Sequence, residues 1–229
     1  MSLSEAEWTA ILLSLRIALV ATLISLPFGI AAAYVLARWR FPGKILFDAI
    51  VHLPLVLPPV VTGYVLLVLF GARGVFGELL AKFGIVFSFR WTGAALACAV
   101  MGFPLMVRAM RLSIEAVDRR LEDASGTLGA NRLWTFVLVT LPLAWPGVLA
   151  GAVLAFARAL GEFGATITFV SNIPGETQTI SAAIYTYTQV PNADAAAARL
   201  VVIAIIISLI ALVASEWLAR RAGTRLHGG

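Results

Sequence analysis

Long apolar runs alternate with short charged stretches along this chain. Five runs reach the length of a membrane-crossing helix: residues 10–37, 49–70, 91–110, 136–160 and 195–218. About 20 apolar residues in helical form cross a hydrocarbon core of about 30 Å. Within that core each backbone amide and carbonyl needs a partner inside its own element, so such runs fold as helices. The other closed solution, a β-barrel, would show alternating segments of about ten residues, and this sequence has none. Pro27 and Gly29 break the first run, Pro54, Pro58 and Pro59 the second, and Pro142 and Pro146 the start of the fourth. The pattern predicts an all-α fold, a polytopic bundle of five transmembrane spans forming a single domain over residues 1–229.

Composition strengthens this reading. The 229 residues are 61% hydrophobic and 13% charged, where a soluble domain carries about 25% charge. A net charge of +5 is compatible with nucleic-acid binding, but the basic residues lie between apolar runs, which suits membrane orientation better. No nucleic acid is expected as a partner; membrane lipid is.

The positions of those basic residues orient the bundle. Arg38, Arg40 and Lys44 follow the first run, Arg108 at the end of the third run and Arg111, Arg119, Arg120 and Arg132 beyond it lead to the fourth, and Arg220, Arg221 and Arg225 close the chain. These eleven fall on one side of a five-span protein, against Arg73, Lys82 and Arg90, three on the other. Loops rich in Lys and Arg stay in the cytoplasm. The N-terminus, with Glu5 and Glu7 and no basic residue, is therefore expected outside and the C-terminus inside. A cleavable signal peptide opens on a positive segment, so the first run is expected to remain in the mature protein.

Familiar catalytic patterns are missing. The chain has no GxxxxGK[ST] phosphate loop, no HExxH, no CxxC and no GxSxG, so neither ATP hydrolysis nor a metal site is expected here. Cys98, the lone cysteine, reads as a small packing residue, and His52 as a polar residue at the membrane interface. More informative are charges that lipid would penalise by about 2.5–3.5 kcal/mol each at a helix centre. Arg158 and Glu162 stand four residues apart, on one helical face. Two readings stand side by side: the pair lines or braces a translocation pathway with Phe163 and Thr166, or both charges sit at the outer headgroup level and snorkel. Arg16, between apolar turns of the first run, reads as snorkelling.

The polar stretch from 111 to 135 exceeds the roughly 2–8 residues that join helices in bundles, which marks it as a candidate docking surface. Its helical character is expected to break at Gly126 and Gly129, the latter suited to a left-handed C-terminal cap. The segment Glu122-Asp123-Ala124-Ser125-Gly126-Thr127-Leu128-Gly129-Ala130, with Leu141-Pro142 downstream, resembles the EAA loop of permeases from binding-protein-dependent ABC importers. Here the triplet reads Asp123-Ala124-Ser125, with a shortened acid and a serine in place of the second alanine. The resemblance extends through FPGK at 41–44, HLPLVLPPVVTGY at 52–64, FPLMVRAMR at 103–111, RALGEFGATITFVSNIPGETQTI at 158–180 and SEWLAR at 215–220. Together these segments are similar to the molybdate permease family.

That resemblance implies a non-enzymatic permease subunit that moves molybdate inward by alternating access. It implies a homodimer, two ATP-binding cassette subunits carrying ATP and Mg²⁺, and a periplasmic oxyanion-binding protein. Glu122, Asp123, Ala124, Ser125, Thr127, Leu128, Gly129 and Ala130 would contact the ATPase. A sulfate or tungstate permease of the same architecture is the nearest alternative. An ion-coupled secondary transporter would bring inverted repeats and intramembrane acids, of which only Glu162 is a candidate.

Overall fold

The chain enters its first helix through a side-chain cap. Ser4 Oγ accepts from the Glu7 amide at 3.2 Å, and the Glu7 carboxylate accepts from the Ser4 amide at 2.7 Å. Two of the first turn's free donors are thereby satisfied, and α1 runs unbroken over Glu5–Arg38, carrying Pro27 inside it. The computed structural model describes residues 3–227, and beyond Ala214 the only side chain it describes is that of Trp217. The side chains of the basic tail (Arg220, Arg221 and Arg225), of His227 and of the motif SEWLAR apart from Trp217 thus lie outside the described ones.

After α1 come α2 (Lys44–Val56), α3 (Pro59–Phe70), α4 (Val75–Ala81) and α5 (Trp91–Ala116). Two short helices, α6 (Arg119–Thr127) and α7 (Arg132–Thr135), lead through a π-helical turn at Phe136–Thr140 into α8 (Leu141–Leu160). Then follow α9 (Gly164–Val170), α10 (Ile180–Thr188) and α11 (Asp194–His227). No strand occurs among the described residues.

Four stretches are single helices long and apolar enough to cross a membrane: Glu5–Arg38, Trp91–Ala116, Arg132–Leu160 and Asp194–Ala214. The expected second span differs. Instead of one helix over 49–70, the chain forms α2 and α3, bent by 114° between Val56 and Pro59. Pro58 and Pro59 have no amide hydrogen, so the i→i−4 ladder stops there.

Helix directions show that the bent pair still passes from one face to the other. Near one end of α1, the Arg16 guanidinium lies 3.8 Å from the Trp91 ring centroid, at the start of α5. At the other end Arg38 bonds to the Val117 carbonyl, just past the end of α5. The two helices are therefore parallel, and the segment joining them must traverse the bundle. Between α5 and α8 the order is reversed, because Gly102 lies against Ala155 and Gly147 against Ser113. A Cβ on Gly151 would sit 2.8 Å from the Met106 carbonyl, so glycine is what lets these backbones meet closely. Arg199 at the head of α11 reaches Glu7 on α1. Five crossings result, with the chain's start and the end of α11 on opposite faces.

Apolar burial concentrates where α1, α5 and α8 meet. One cluster holds Ile17, Leu66, Cys98, Ala165 and Phe169, and a second holds Leu36, Met106, Met110, Ile114 and Val148. Large apolar side chains cover the outside as well, among them Ile45, Leu46, Val56 and Val60 on the bent pair and Ile205, Leu209 and Ile210 on α11. The connection between α8 and α11 is no open loop: α9 buries Ala165, Phe169 and Val170, and α10 buries Ile180 and Ala183.

Candidate functional site

The polar stretch between α5 and α8 folds from local signals. Asp118 accepts from the Arg120 amide at 2.9 Å and starts α6. Asn131 accepts from the Trp134 amide at 3.0 Å and starts α7. Between them Gly129 takes φ +89, the left-handed turn that ends α6. Gly126 is not a break: it lies within α6, and a Cβ there would meet nothing within 4 Å. None of the residues of α6 is buried, and Leu128 is 89% exposed. With Leu121, Leu133 and Trp134 also exposed, the segment forms a knob with an uncovered apolar surface. Ser125 and Thr135 share a hydroxyl–hydroxyl bond at 3.1 Å that closes α6 onto α7.

One carboxylate holds this knob to the bundle. Glu122 Oε1 accepts from Arg38 Nε at 3.0 Å and from the Thr140 hydroxyl at 2.7 Å, and stands 2.9 Å from Arg38 Nη2. Arg38 Nη2 also donates to the Val117 carbonyl at 2.9 Å. The ion pair is largely dry, with the two side chains 8% and 17% exposed, and Thr140 is fully buried. Beside it opens a cleft of about 1010 Å³ whose lining includes Arg38, Arg40, Arg119, Arg132, Glu122 and Asp123. Its four arginines against two acids leave it basic.

At the far end of α8 the pair Arg158 and Glu162 is formed, with Nη1 to Oε2 at 2.7 Å. Glu162 is buried, and its other oxygen accepts from the Ala165 amide at 2.8 Å in the first turn of α9. Arg158 is half-buried, so its charge reaches the protein surface while its partner's does not. Thr166 is buried and donates to the Phe163 carbonyl at 2.9 Å. The Phe163 ring lies 5.2 Å from that of Tyr185. The start of α9 also abuts the start of α3: a Cβ on Gly164 would sit 2.9 Å from Pro59 Cβ, and one on Gly63 would sit 2.5 Å from the Ala165 carbonyl oxygen. Two half-helices thus begin side by side and run in the same direction.

The structure therefore gathers the predicted residues into two separate places. Residues 122–130 form the knob on the face where α1 and α5 end, and Arg158, Glu162, Phe163 and Thr166 surround the turn between α8 and α9. Sequence reading had no means of joining Arg38 and Thr140 to Glu122, because the three are far apart in the chain. It likewise treated Arg16 singly, whereas Arg16 faces Trp91, and it paired nothing with Arg199, whose Nη2 stands 2.9 Å from Glu7, a side chain that is fully buried. A further network on α2 and α5 joins Asp48 to Arg111 at 3.1 Å and Arg111 to Glu115 at 2.8 Å. His52 belongs to it, with Nδ1 3.2 Å from Asp48 Oδ1. No group of three His, Cys, Asp or Glu side chains is placed to hold a metal ion among the described residues.

Comparison with known proteins supplies the frame for these two places. Residues 25–224 match the family described as the binding-protein-dependent transport system inner membrane component. The molybdenum transport system permease protein ModB of Escherichia coli (strain K12) is 60% identical over 221 residues, 96% of each chain. The sulfate transport system permease protein CysT of Salmonella typhimurium is 39% identical, over 94% of this chain and 77% of that protein. Among solved structures, a bacterial ABC transporter involved in the import of the acidic polysaccharide alginate has the same fold. Its TM-score is 0.74 at 19% identity, over 95% of this chain and 80% of that one.

Proposed function

We propose, because this chain belongs to the binding-protein-dependent transport system inner membrane component family, that it is the membrane-spanning permease through which an ATP-driven importer brings molybdate into the cell. The observation that carries this reading is the 60% identity to a molybdenum permease over 96% of both chains, against 39% for a sulfate permease. Sulfate and tungstate, tetrahedral dianions like molybdate, are the competing cargoes.

Energy enters from outside the chain. With no phosphate-binding loop in its sequence, the permease depends on separate cassette subunits that hold ATP and Mg²⁺. The knob of residues 122–130 is their contact, because it combines a helix lacking buried residues with an 89%-exposed leucine. Exposed apolar side chains rimmed by charge mark a protein interaction site. In this reading the knob face and the C-terminus lie in the cytoplasm and the start of α1 outside, which the distribution of basic loops supports. On the outer side a periplasmic oxyanion-binding protein delivers the anion.

The pathway runs between two copies of the chain. The bent pair α2–α3 and the turn at Gly161–Gly164 supply its wall, and of the candidate residues Arg158 and Phe163 are the ones that reach the surface. A single half-exposed arginine whose charge is already neutralised by Glu162 holds a dianion weakly. Weak holding suits passage, so selectivity resides in the delivery protein.

Reconstitution of the permease with its ATPase and delivery protein in proteoliposomes tests the reading. Molybdate on the loaded delivery protein should accelerate ATP turnover and be taken up, with sulfate and tungstate competing less well. A catalytically dead ATPase should abolish uptake. Uptake that survives it, driven by an ion gradient, would establish a secondary carrier instead.

A further inference from the structure

Glu122 has a position that docking alone does not require. The α6 knob has no buried side chain to anchor it to the membrane bundle. What joins it to the bundle is polar: one oxygen of Glu122 receives both Arg38, at the end of α1, and the Thr140 hydroxyl. Thr140 is the last residue of the π-helical turn that precedes α8. That turn lies where it does for a covalent reason. Pro142 has no amide hydrogen for the Leu138 carbonyl, and its ring displaces the preceding turn. π-Turns inside helices are local irregularities frequently found at functional sites.

We infer that Glu122 is the positioning residue that converts movement of the α6 knob into movement of the membrane helices, gripping α1 through Arg38 and α8 through Thr140. This inference rests on the reading of the knob as the ATPase contact. Its chemistry suits the task. A charge-assisted bond is about twice as strong as a neutral one and has defined geometry. Screening by water is low around side chains only 8% and 17% exposed. Pulling the knob away without its two partners would strand the Arg38 guanidinium in a dry site, which is costly. The three elements therefore move together. The bond from Arg38 to the Val117 carbonyl extends the same grip to the end of α5.

The experiment uses the reconstituted complex with E122Q, T140V and R38K permeases. Co-purification of the ATPase reports docking. The ratio of ATP turnover with and without molybdate-loaded delivery protein reports coupling, which a purely structural loss would not move selectively. E122Q keeps the shape and the acceptor oxygen but not the charge. In the complex that retains the ATPase it should cut both stimulation and uptake per ATP by about tenfold or more, within the 5–150-fold range of coupling energies. T140V, which lies outside the knob, should leave ATPase co-purification at the wild-type level; it removes only the hydroxyl and should change stimulation and uptake in the same direction by a smaller factor. Wild-type stimulation and uptake per ATP in E122Q would overturn the inference. If E122Q does not assemble, T140V and R38K decide it: loss of stimulation in a complex that assembles supports the grip, and full stimulation in both refutes it. If the wild-type knob makes no cross-link to the ATPase in an intact complex, the docking reading itself has failed, whatever the variants do.

Discussion

Gly63 offers a direct test of the packing between the bent second span and α9. An ideal Cβ built on it would lie 2.5 Å from the Ala165 carbonyl oxygen and 2.9 Å from both Ala165 Cα and Thr168 Cβ. Two of these three atoms are backbone and have no rotamer to escape into. Ordinary contact begins near 3.4 Å, so G63A must push α3 and α9 apart by about 0.9 Å. Overpacking of this sort costs about 1–3 kcal/mol, and alanine's better helix propensity returns about 1 kcal/mol. We expect a net destabilisation of about 1–2 kcal/mol, the upper part of the cost applying because the obstruction is backbone. G126A is the matched control: the same substitution in a helix where nothing lies within 4 Å, for an expected gain of about 0.4–1 kcal/mol.

The chain supplies its own probe for this comparison. Cys98 is the sole cysteine, 1% exposed, and shares its buried cluster with Leu66 of α3 and Ala165 of α9. Maleimide labelling of detergent-solubilised protein in the limit of rapid reclosing reports the population of opened molecules. A change of 1–2 kcal/mol alters that population by about 5–30-fold, so G63A should label faster than wild type by a factor in that range and G126A no faster. Labelling of G63A at or below the wild-type rate would refute the close approach of α3 and α9.

Three further substitutions probe the buried carboxylates. E162Q retains an acceptor for the Ala165 amide but loses the charge facing Arg158, for an expected cost of about 1–3 kcal/mol, whereas E162A loses both contacts and should cost about 3–5 kcal/mol. Denaturant midpoints in the order wild type, E162Q, E162A are expected, and equal midpoints for the two variants would show that the bond to α9 contributes nothing. R199A leaves the fully buried Glu7 with its Ser4 amide as the remaining partner, an expected loss of about 1–3 kcal/mol. Hydrogen exchange should then speed up in the first turns of α1 and α11, and unchanged protection would show that the pair is decorative.

Much of this architecture was legible because lipid enforces simple rules. Apolar length placed four helices, with ends shifted by several residues: α5 extends to Ala116 where the pattern stopped at 110, and α11 begins one residue before its run. Charge in the loops gave the two faces. The four-residue spacing brought Arg158 and Glu162 together, although not on one helical face: α8 ends at Leu160, and Glu162 lies in the turn beyond it, from which its carboxylate reaches back to Arg158. Pairs between helices were not legible. Arg38 looked like one more basic residue in a loop, since nothing local distinguishes a cation facing water from one facing a distant acid, and the same holds for Arg199. The bend in the second span was half legible. Its prolines announced a broken ladder but not the 114° angle, which depends on what α3 packs against. Gly126 misled for a related reason: glycine weakens a helix by about 1 kcal/mol without ending it, and α6 is bounded by Asp118 and Gly129.

The bend also constrains what α2 and α3 can face. Along α2 the carbonyls of Pro54 and Leu55 would be bonded by residues 58 and 59, both prolines without an amide hydrogen. The helical ladder supplies those two carbonyls with no donor. In the hydrocarbon core an unpaired carbonyl costs several kcal/mol, so irregular backbone at that depth survives where protein or water covers it. The side chains around the break do not provide the cover within one copy, since Leu53, Leu55 and Val56 are all exposed. In the proposed assembly that cover is water or a second chain. A pathway enclosed between two copies meets both conditions at once, because its wall is wet on one side and protein-lined along its edges. Lipid meets neither. The proline cluster that interrupts the second span is for this reason the strongest physical argument that α2 and α3 face the centre of an assembly, while α11, with an unbroken ladder and an outer surface of isoleucine and leucine, can face the bilayer.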